Sequence, residues 1–376
     1  MSKPPQSITW PAEPHTLAKI EIVGKYLFRW AMITGPTFVG QPLTYIDGFA
    51  GPGEYTNHPE GSPLAALRAL NDAKKQVGIR WRAASIRAMF VEADSKRSAH
   101  LVKLIKERAA AGDVTCLAQN SSFVDGLVEA ERRFGKAFLT AAPFVVFIDP
   151  FGATGFPWSS VQRILSSRTS EIILNFDADG MARIAKAGTD ANADHILTTI
   201  FGGNDWRAAL DGLHDLRSME FALVDLYKRK LRTLPNVKFT FAFEMASSSS
   251  NIDYFLLFAS QHSRGLEKMK EAMKEIDQTG TFRFSDAGVG QQRLFKFDSP
   301  SDWVEKLMGA FANRTVGYDE VLTFTLNETP FINPSKLLYA AQELGLLTVE
   351  CDPPRKKKNS FKADEVKLIR FGAQHA

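Results

Sequence analysis

The sequence predicts an α/β protein built on a mostly parallel sheet, with a smaller α+β domain behind it. Three observations carry this prediction. Short apolar segments of strand length alternate with amphipathic segments up to residue 176, as in parallel sheets covered by helices on both faces. A glycine-rich turn follows the first of these strands. The last two strands, 237–245 and 252–259, are joined by only about six residues, so they must pair antiparallel.

The individual elements follow from periodicity, from apolar segments and from turn residues. Parallel strands are expected at 43–47, 85–92, 114–118, 144–148 and 171–176. Helices are expected at 15–33, 63–70, 95–111, 123–133, 159–166 and 265–276. A mostly helical connection at about 178–235 precedes the hairpin. Five parallel strands and this hairpin give a seven-stranded sheet with an antiparallel final strand, the layout of Rossmann-like, class I methyltransferase-like folds.

At 376 residues the chain is long enough for two domains. The first is expected over 1–280, and it contains the sheet. The second is expected over 281–376, with helices at 303–313 and 334–344 and two strands, 347–351 and 366–371, flanking a basic loop at 355–362. Helices followed by a hairpin with a charged tip predict a winged-helix-like domain.

Charge and cysteine content narrow the functional classes. The net charge is only +4, but residues 355–376 contain seven lysines and arginines, a concentration that suits a phosphate backbone and equally suits a solvated loop. Cys116 and Cys351 are the two cysteines, so the sequence offers neither a disulfide framework nor a CxxC metal site. No apolar segment approaches membrane-spanning length. We therefore expect a soluble, cytoplasmic protein without a metal centre.

The glycine-rich turn is the first candidate ligand site. Small residues let the backbone approach a ligand closely, and in methyltransferases the corresponding loop holds the methionine part of S-adenosyl-L-methionine (SAM). A tight turn without a ligand is the alternative. The candidate cofactor-binding residues of this turn are Asp47, Gly48, Phe49, Ala50, Gly51 and Gly53.

Polar residues at the ends of the next two strands extend that site. Glu92 ends the second strand and is followed by Ala93, and a carboxylate there can accept hydrogen bonds from both hydroxyls of a ribose. Asn120, after the third strand, is placed to reach an adenine edge, although a helix-capping role fits it as well. A helix-terminal charge is the alternative for Glu92.

The end of the fourth strand is the candidate reaction site. Asp149, Pro150 and Phe151, followed by a glycine, resemble the Asp/Asn-Pro-Pro-Tyr/Phe loop of amino-group methyltransferases, but a phenylalanine replaces the second proline and a glycine replaces the aromatic residue. Phe151, Phe156 and Trp158 are the candidates for stacking on a base. Asn175 and Arg183 are candidates for a substrate phosphate, and Arg355, Lys356, Lys357 and Lys358 for a nucleic-acid backbone.

Taken together in this order, YIDGFAGPGEY, GSPLAAL, FVEAD, FIDPFG with GFPW, EIILNF and YFLLFASQHSRGLEKMKEAM resemble the three-Cys-motif partner protein family (TcmP), over roughly residues 15–280. The resemblance implies a class I methyltransferase-like fold and a partner that is a radical-SAM-like protein with a three-cysteine motif. It also implies a cofactor site at Asp47, Gly51, Gly53 and Glu92 and a reaction site at Asp149.

Three functions remain open at this point. A SAM-dependent methyltransferase acting on amino groups of nucleic acid is the leading hypothesis. A non-catalytic or differently catalytic nucleotide-binding partner of the three-cysteine protein is the second. A DNA-binding regulator is the third, and the nearly balanced charge of residues 281–376, with 13 basic against 12 acidic residues, disfavours it.

Overall fold

The structure is a computed structural model that describes residues 7–108, 112–135, 142–187, 191–246, 252–277, 283–285, 300–354 and 357–372. These residues divide into two compact units. The larger comprises 7–276 with 283–285, and the smaller comprises 277 with the described residues from 300 onward.

An eight-stranded sheet forms the centre of the larger unit, in the order β3-β2-β1-β4-β5-β7-β6-β8. Its strands are β1 (Pro42–Asp47), β2 (Ser85–Glu92), β3 (Val114–Asn120), β4 (Phe144–Ile148), β5 (Ser170–Phe176), β6 (Phe239–Ala246), β7 (Ile252–Ser260) and β8 (Arg283–Ser285). Strand β7 lies between β5 and β6 and runs antiparallel to both, so the predicted reversed strand is present. The predicted count of seven strands is wrong, because residues 283–285 add β8 beside β6.

Both faces of this sheet are covered. All five residues of β4 are fully buried, as expected for the apolar segment FVVFI. The helices of the larger unit are α1 (Pro14–Thr37), α2 (Ser62–Val77), α3 (Ser95–Arg108), α4 (Phe123–Phe134), α5 (Trp158–Ile164), α6 (Ala178–Ala187), α7 (Ala191–Phe201), α8 (Asp205–Leu210), α9 (Leu216–Arg232) and α10 (Ser263–Ile276), with a 3-10 turn at Gly78–Arg80. Helix α1 packs against α2 and α10. Helices α4 to α9 contribute to one apolar core with alternate residues of the strands.

The strand register brings the carboxyl ends of the central strands to one edge of the sheet. Asp47 lies opposite Phe90 and Phe147, and Glu92 lies opposite Asn120. Parallel strands align their ends in this way, and α/β sheets bind ligands at such edges. The candidate residues that the sequence places at strand ends are therefore neighbours in space.

The smaller unit has its own core, around Leu307, Leu337 and Ile369. Its elements are α11 (Ser301–Phe311), β9 (Thr315–Val316), α12 (Tyr318–Glu328), α13 (Ser335–Glu343), β10 (Leu347–Cys351) and β11 (Val366–Phe371). The strands form an antiparallel sheet in the order β10-β11-β9. Sequence periodicity missed α12, whose buried face includes the polar residues Thr325 and Asn327.

No helix among the described residues is long and apolar enough to cross a membrane.

Candidate functional site

The loop after β1 is held by a buried carboxyl group. Asp47 is fully buried, and its Oδ2 accepts a hydrogen bond from Ser62 Oγ at 2.7 Å, while Oδ1 accepts one from the Phe49 backbone N–H at 3.3 Å. Burial raises the pKa of Asp47 to about 7, against the lowering effect of the Ser62 hydrogen bond. A cation placed beside this group would favour its ionised form.

Two glycines of the loop are required by its geometry. Gly51 and Gly53 have φ angles of +62° and +89°, a region that side-chain-bearing residues rarely adopt. The Gly53 carbonyl accepts from the Gly61 N–H at 2.7 Å, directly before α2. The loop therefore turns sharply from β1 into α2, and a side chain at Gly53 would collide with Leu101 of α3.

Glu92 connects this loop to the end of β2. One of its carboxylate oxygens accepts from the Gly51 N–H at 2.9 Å, and the other accepts from the Asp94 N–H at 2.8 Å. Burial raises the pKa of Glu92 above its usual value, although both backbone hydrogen bonds and the nearby Arg97 act in the opposite direction. Asn120 donates its side-chain amide to the carbonyls of Glu92 and Ala93, at 2.8 and 3.0 Å. The side-chain amide of Asn120 thus fixes the end of β2.

Asp149, directly after β4, is fixed through one oxygen only. Lys19 Nζ and Asn175 Nδ2 each donate to Asp149 Oδ1 at 2.6 Å. The second oxygen, Oδ2, accepts no hydrogen bond from any residue that the structure describes. Lys19 is buried on the inner side of α1, and its ammonium lies 4.9 Å from the centre of the Tyr254 ring. The arrangement holds a carboxylate in place and leaves half of it available.

Asp149 lines a cavity of about 270 Å³ at this edge of the sheet. Phe49, Ala50 and Gly51 of the loop line the same cavity, together with Asn175 and Pro150. The backbone of the glycine-rich turn and the Asp149 carboxylate therefore line the same cavity.

The segment before α1 forms another wall of this cavity. Asn57 exchanges two hydrogen bonds with the backbone of Ala12, at 2.7 and 2.9 Å, and Thr56 N–H donates to the Trp10 carbonyl at 3.0 Å. These bonds place the Trp10 indole 5.7 Å from the ring of Tyr55.

Phe151 joins the Trp10 side chain at the cavity. Their rings lie 5.8 Å apart, and the Arg97 guanidinium lies 5.0 Å from Trp10 and 5.7 Å from Phe151. Phe151 is 42% exposed, which is unusual for so large an apolar side chain. Aromatic and guanidinium planes at a cavity of this kind can stack on a flat ring.

Some predicted site residues lie elsewhere. Trp158 is packed in the core against Tyr227, with ring centres 5.4 Å apart, and does not line the cavity. Arg183 lies on α6 and pairs with Asp179 at 2.9 Å. Lys357 and Lys358 belong to the smaller unit and are exposed, and Arg355 and Lys356 lie outside the described residues.

Sequence reasoning assigned no role to Lys19, Ser62 or Trp10. Lys19 did carry a signal, since it stands on the face of α1 that buries Val23 and Tyr26, where a charged side chain needs a buried partner. Trp10 carried none, because its neighbours come from distant parts of the chain. Among the described residues, no three His, Cys, Asp or Glu side chains are grouped to hold a metal ion.

No protein-family model matches the chain, and no curated protein matches it in sequence. Among solved structures, the O-methyltransferase from Bacillus cereus in complex with SAH aligns at 16% identity and a TM-score of 0.34, covering 63% of this chain and 80% of that one. Trm1 from Pyrococcus horikoshii with SAM aligns at 10% identity and a TM-score of 0.41, covering 98% and 94%. Cofactor-bound Rv0187 from MTB aligns at 13% identity and a TM-score of 0.32, covering 67% and 91%.

These similarities are distant. The fold is identified from the strand order of the chain itself. The sheet is large and mostly parallel, with one reversed strand between β5 and β6. That is the α/β arrangement expected from the sequence for a class I methyltransferase-like fold.

Proposed function

We propose that this protein is a SAM-dependent methyltransferase that modifies amino groups of nucleic acid. The observation that carries the proposal is Asp149, whose Oδ1 is fixed by Lys19 and Asn175 while Oδ2 stands without a partner among the described residues, beside a glycine loop on the same cavity. A bound SAM supplies an electrophilic methyl group on a sulfonium cation.

The residues present fit such a cofactor. Gly51 lines the cavity and has no atom within 4 Å of the position that a Cβ would occupy, so it leaves room for a ligand close to the backbone. Glu92 offers two carboxylate oxygens to a pair of ribose hydroxyls, in exchange for its present backbone partners. The buried carboxyl of Asp47 favours a cation nearby.

The protein's own part in the reaction is orientation and proton acceptance. SAM would be held by Gly51 and Glu92, and it would supply the methyl group to the amino nitrogen and keep the electron pair of the broken carbon–sulfur bond. The nitrogen would then give up one proton, and the unpaired Asp149 Oδ2 would accept it. Holding the reactants in line can contribute about 7–11 kcal/mol to lowering the barrier.

The smaller unit supports nucleic acid as the substrate. Its order of elements, helix, strand, two helices and two strands with a three-stranded antiparallel sheet, fits a winged-helix domain, in which α13 would be the helix presented to DNA or RNA. Lys357 and Lys358 are exposed between β10 and β11. Basic side chains at such a wing would contact phosphates.

Calorimetric titration with S-adenosylhomocysteine (SAH) tests the cofactor site. Wild-type protein should bind, and Glu92→Ala should bind about 10- to 100-fold more weakly, because charge-assisted hydrogen bonds are lost. Glu107→Ala, which removes an exposed carboxylate from α3, is the matched control and should bind normally. A folded wild-type protein that binds neither SAM nor SAH would overturn the proposed function.

Replacing residues 355–358 together with serine tests the wing. The binding of tRNA or duplex DNA should weaken, and the slope of log affinity against log salt should become shallower by roughly one unit for each phosphate that the wing no longer neutralises. SAH binding, which belongs to the larger unit, should stay unchanged. An unaltered salt slope would leave the basic loop without a role in nucleic-acid binding.

The residues that follow Asp149 favour a second function. The reaction loop has exposed Phe151 and then Gly152 where amino-group methyltransferases carry proline and an aromatic residue. That departure fits a TcmP-type partner of a three-cysteine radical-SAM-like protein, which binds a nucleotide without methylating nucleic acid. Tight SAH binding with no methyl incorporation into tRNA, rRNA or DNA would favour this second function.

A further inference from the structure

Asn175 carries a buried polar atom that the fold leaves unsatisfied. The residue is 9% exposed, and its Oδ1 accepts no hydrogen bond from any described residue. Leaving such an acceptor unpaired destabilises the folded state, and a native protein tolerates it most readily where a ligand or water completes the bond. Asn175 lines the cavity that Asp149 also lines.

The orientation of this amide is set by its neighbours. Asn175 Nδ2 donates to Asp149 Oδ1, which also accepts from the Lys19 ammonium. Turning the amide around would place its oxygen against a carboxylate oxygen, and two acceptors would then face each other. One N–H of the amide therefore holds Asp149, and the oxygen is the unpaired atom that Asn175 can offer to a ligand.

Asp149 and Asn175 together present two unpaired acceptors at the cavity. Asp149 Oδ2 and Asn175 Oδ1 are both without partners among the described residues, and they belong to side chains that are hydrogen-bonded to each other. A phosphate brings only acceptors at neutral pH, so it does not complement this pair. A hydroxyl brings one donor. A primary amino group brings two N–H donors, one for each oxygen.

We infer that Asn175 is a second recognition residue for the methyl acceptor, and that with Asp149 it selects a primary amino group. This inference rests on the proposed function and defines its substrate more narrowly. Its consequence is a single methylation. The first methyl replaces one of the two N–H donors, so the monomethylated product would leave one oxygen unpaired and would bind less well than the substrate.

The test uses sinefungin, a SAM analogue with a primary amine in place of the transferred methyl group. The ratio of SAH to sinefungin dissociation constants measures how strongly the protein binds that amine. Wild-type protein should prefer sinefungin, and Asn175→Ala should reduce the preference about ten-fold while SAH binding changes little. Asn236→Ala is the control: it removes an amide that donates to the Ser166 carbonyl and does not line the cavity, so it should leave the ratio unchanged.

A double variant separates direct recognition from support of Asp149. In an Asp149→Asn background, Asn175→Ala should still lower the preference for sinefungin, because the amide oxygen acts on the amine itself. If the ratio does not change in that background, Asn175 only positions Asp149 and the inference is overturned. If Asn175→Ala is unstable, Asn175→Ser gives the same comparison. If wild-type protein binds neither ligand, the proposed function fails and the inference fails with it.

Discussion

Helix α1 supplies a hydrogen-bond donor to a carboxyl group at each end of the sheet, and the two ends differ in chemistry. At the carboxyl end, the Lys19 ammonium donates to Asp149, which keeps one oxygen unpaired at a cavity. At the amino end, about two helical turns along α1, the Tyr26 hydroxyl donates to Glu171, whose other oxygen accepts from Ser260 Oγ at 2.7 Å.

The difference separates a carboxyl group with one unpaired oxygen at a cavity from a carboxyl group whose two oxygens both accept hydrogen bonds in the core. Glu171 is fully buried among neutral donors, and burial raises its pKa to about 7. Asp149 has a cation beside it and a partly exposed side chain. Both groups depend on one helix, yet only Asp149 leaves a hydrogen-bonding oxygen unsatisfied.

The largest effect is expected at the carboxyl end. Asp149→Asn keeps the shape of the side chain but removes the charge and the proton acceptor, so methyl transfer should fall about 10²- to 10⁴-fold. Incorporation of labelled methyl from SAM into tRNA, rRNA and DNA measures this, with SAH affinity measured in parallel. Asp113→Asn, at an exposed aspartate paired with Lys74, is the control. Equal incorporation by wild type and Asp149→Asn would remove Asp149 from the reaction.

The amino end should instead appear in the pH dependence of stability. The folded state holds a proton on Glu171 up to about pH 7, whereas the unfolded chain loses it near the ordinary pKa of 4.5. The folded state therefore binds more protons between these values, and the free energy of unfolding should fall as pH rises through this window. Ionisation of Glu171 should lower the free energy of unfolding by roughly 3 kcal/mol across this window.

Glu171→Gln tests that contribution. The variant cannot ionise, so its urea-unfolding free energy should depend less steeply on pH between 4.5 and 7 than that of the wild type. Asp47 and Glu220, whose pKa values burial also raises to about 7, keep a slope of the same sign in the variant. An unchanged slope in Glu171→Gln would show that Glu171 ionises normally in the folded protein.

Much of this edge could be predicted from sequence, and the reason is the periodicity of parallel α/β folds. Asp47, Glu92 and Asp149 all come at strand ends, and strand ends align whatever the rest of the chain does. The partners that define their chemistry could not be predicted in the same way. Lys19 lies 130 residues from Asp149, and their hydrogen bond depends on how α1 packs.

Two other features, the position of the Trp158 side chain and the strand β8, also depend on contacts that the sequence does not show. Trp158 comes shortly after Asp149 and Phe151 in the sequence. It is the first residue of α5, however, and its ring is packed in the core. The strand β8 is three residues long, and the sequence does not show that it pairs with β6 in the large sheet. The sequence predicts which carboxyl groups lie at the strand ends. It does not predict which side chains of the packed helices donate hydrogen bonds to them, such as Lys19 of α1.

The smallest effects should come from two glycines that probe the packing around the amino end. Gly265 lies in the first turn of α10, and a Cβ there would lie 2.2 Å from Glu171 Oε1 and 2.9 Å from Ser260 Oγ. Both are buried and hydrogen-bonded, so Gly265→Ala should destabilise the protein by about 1–3 kcal/mol. Gly24, inside α1, has no atom closer than 3.9 Å to the position that a Cβ would occupy, so Gly24→Ala should stabilise the protein by up to about 1 kcal/mol through helix propensity.

Urea unfolding gives the free energy of unfolding of each variant, and we expect the two changes to have opposite signs. Neither glycine lines the cavity that Asp149 and Asn175 line, so the SAH affinity of both variants should remain within about two-fold of wild type. Loss of SAH binding in Gly265→Ala would show that strain at Glu171 is transmitted along α1 to Lys19 and Asp149. The two ends would then act as one unit, and the division between a packing carboxyl and a ligand-binding carboxyl would have to be abandoned.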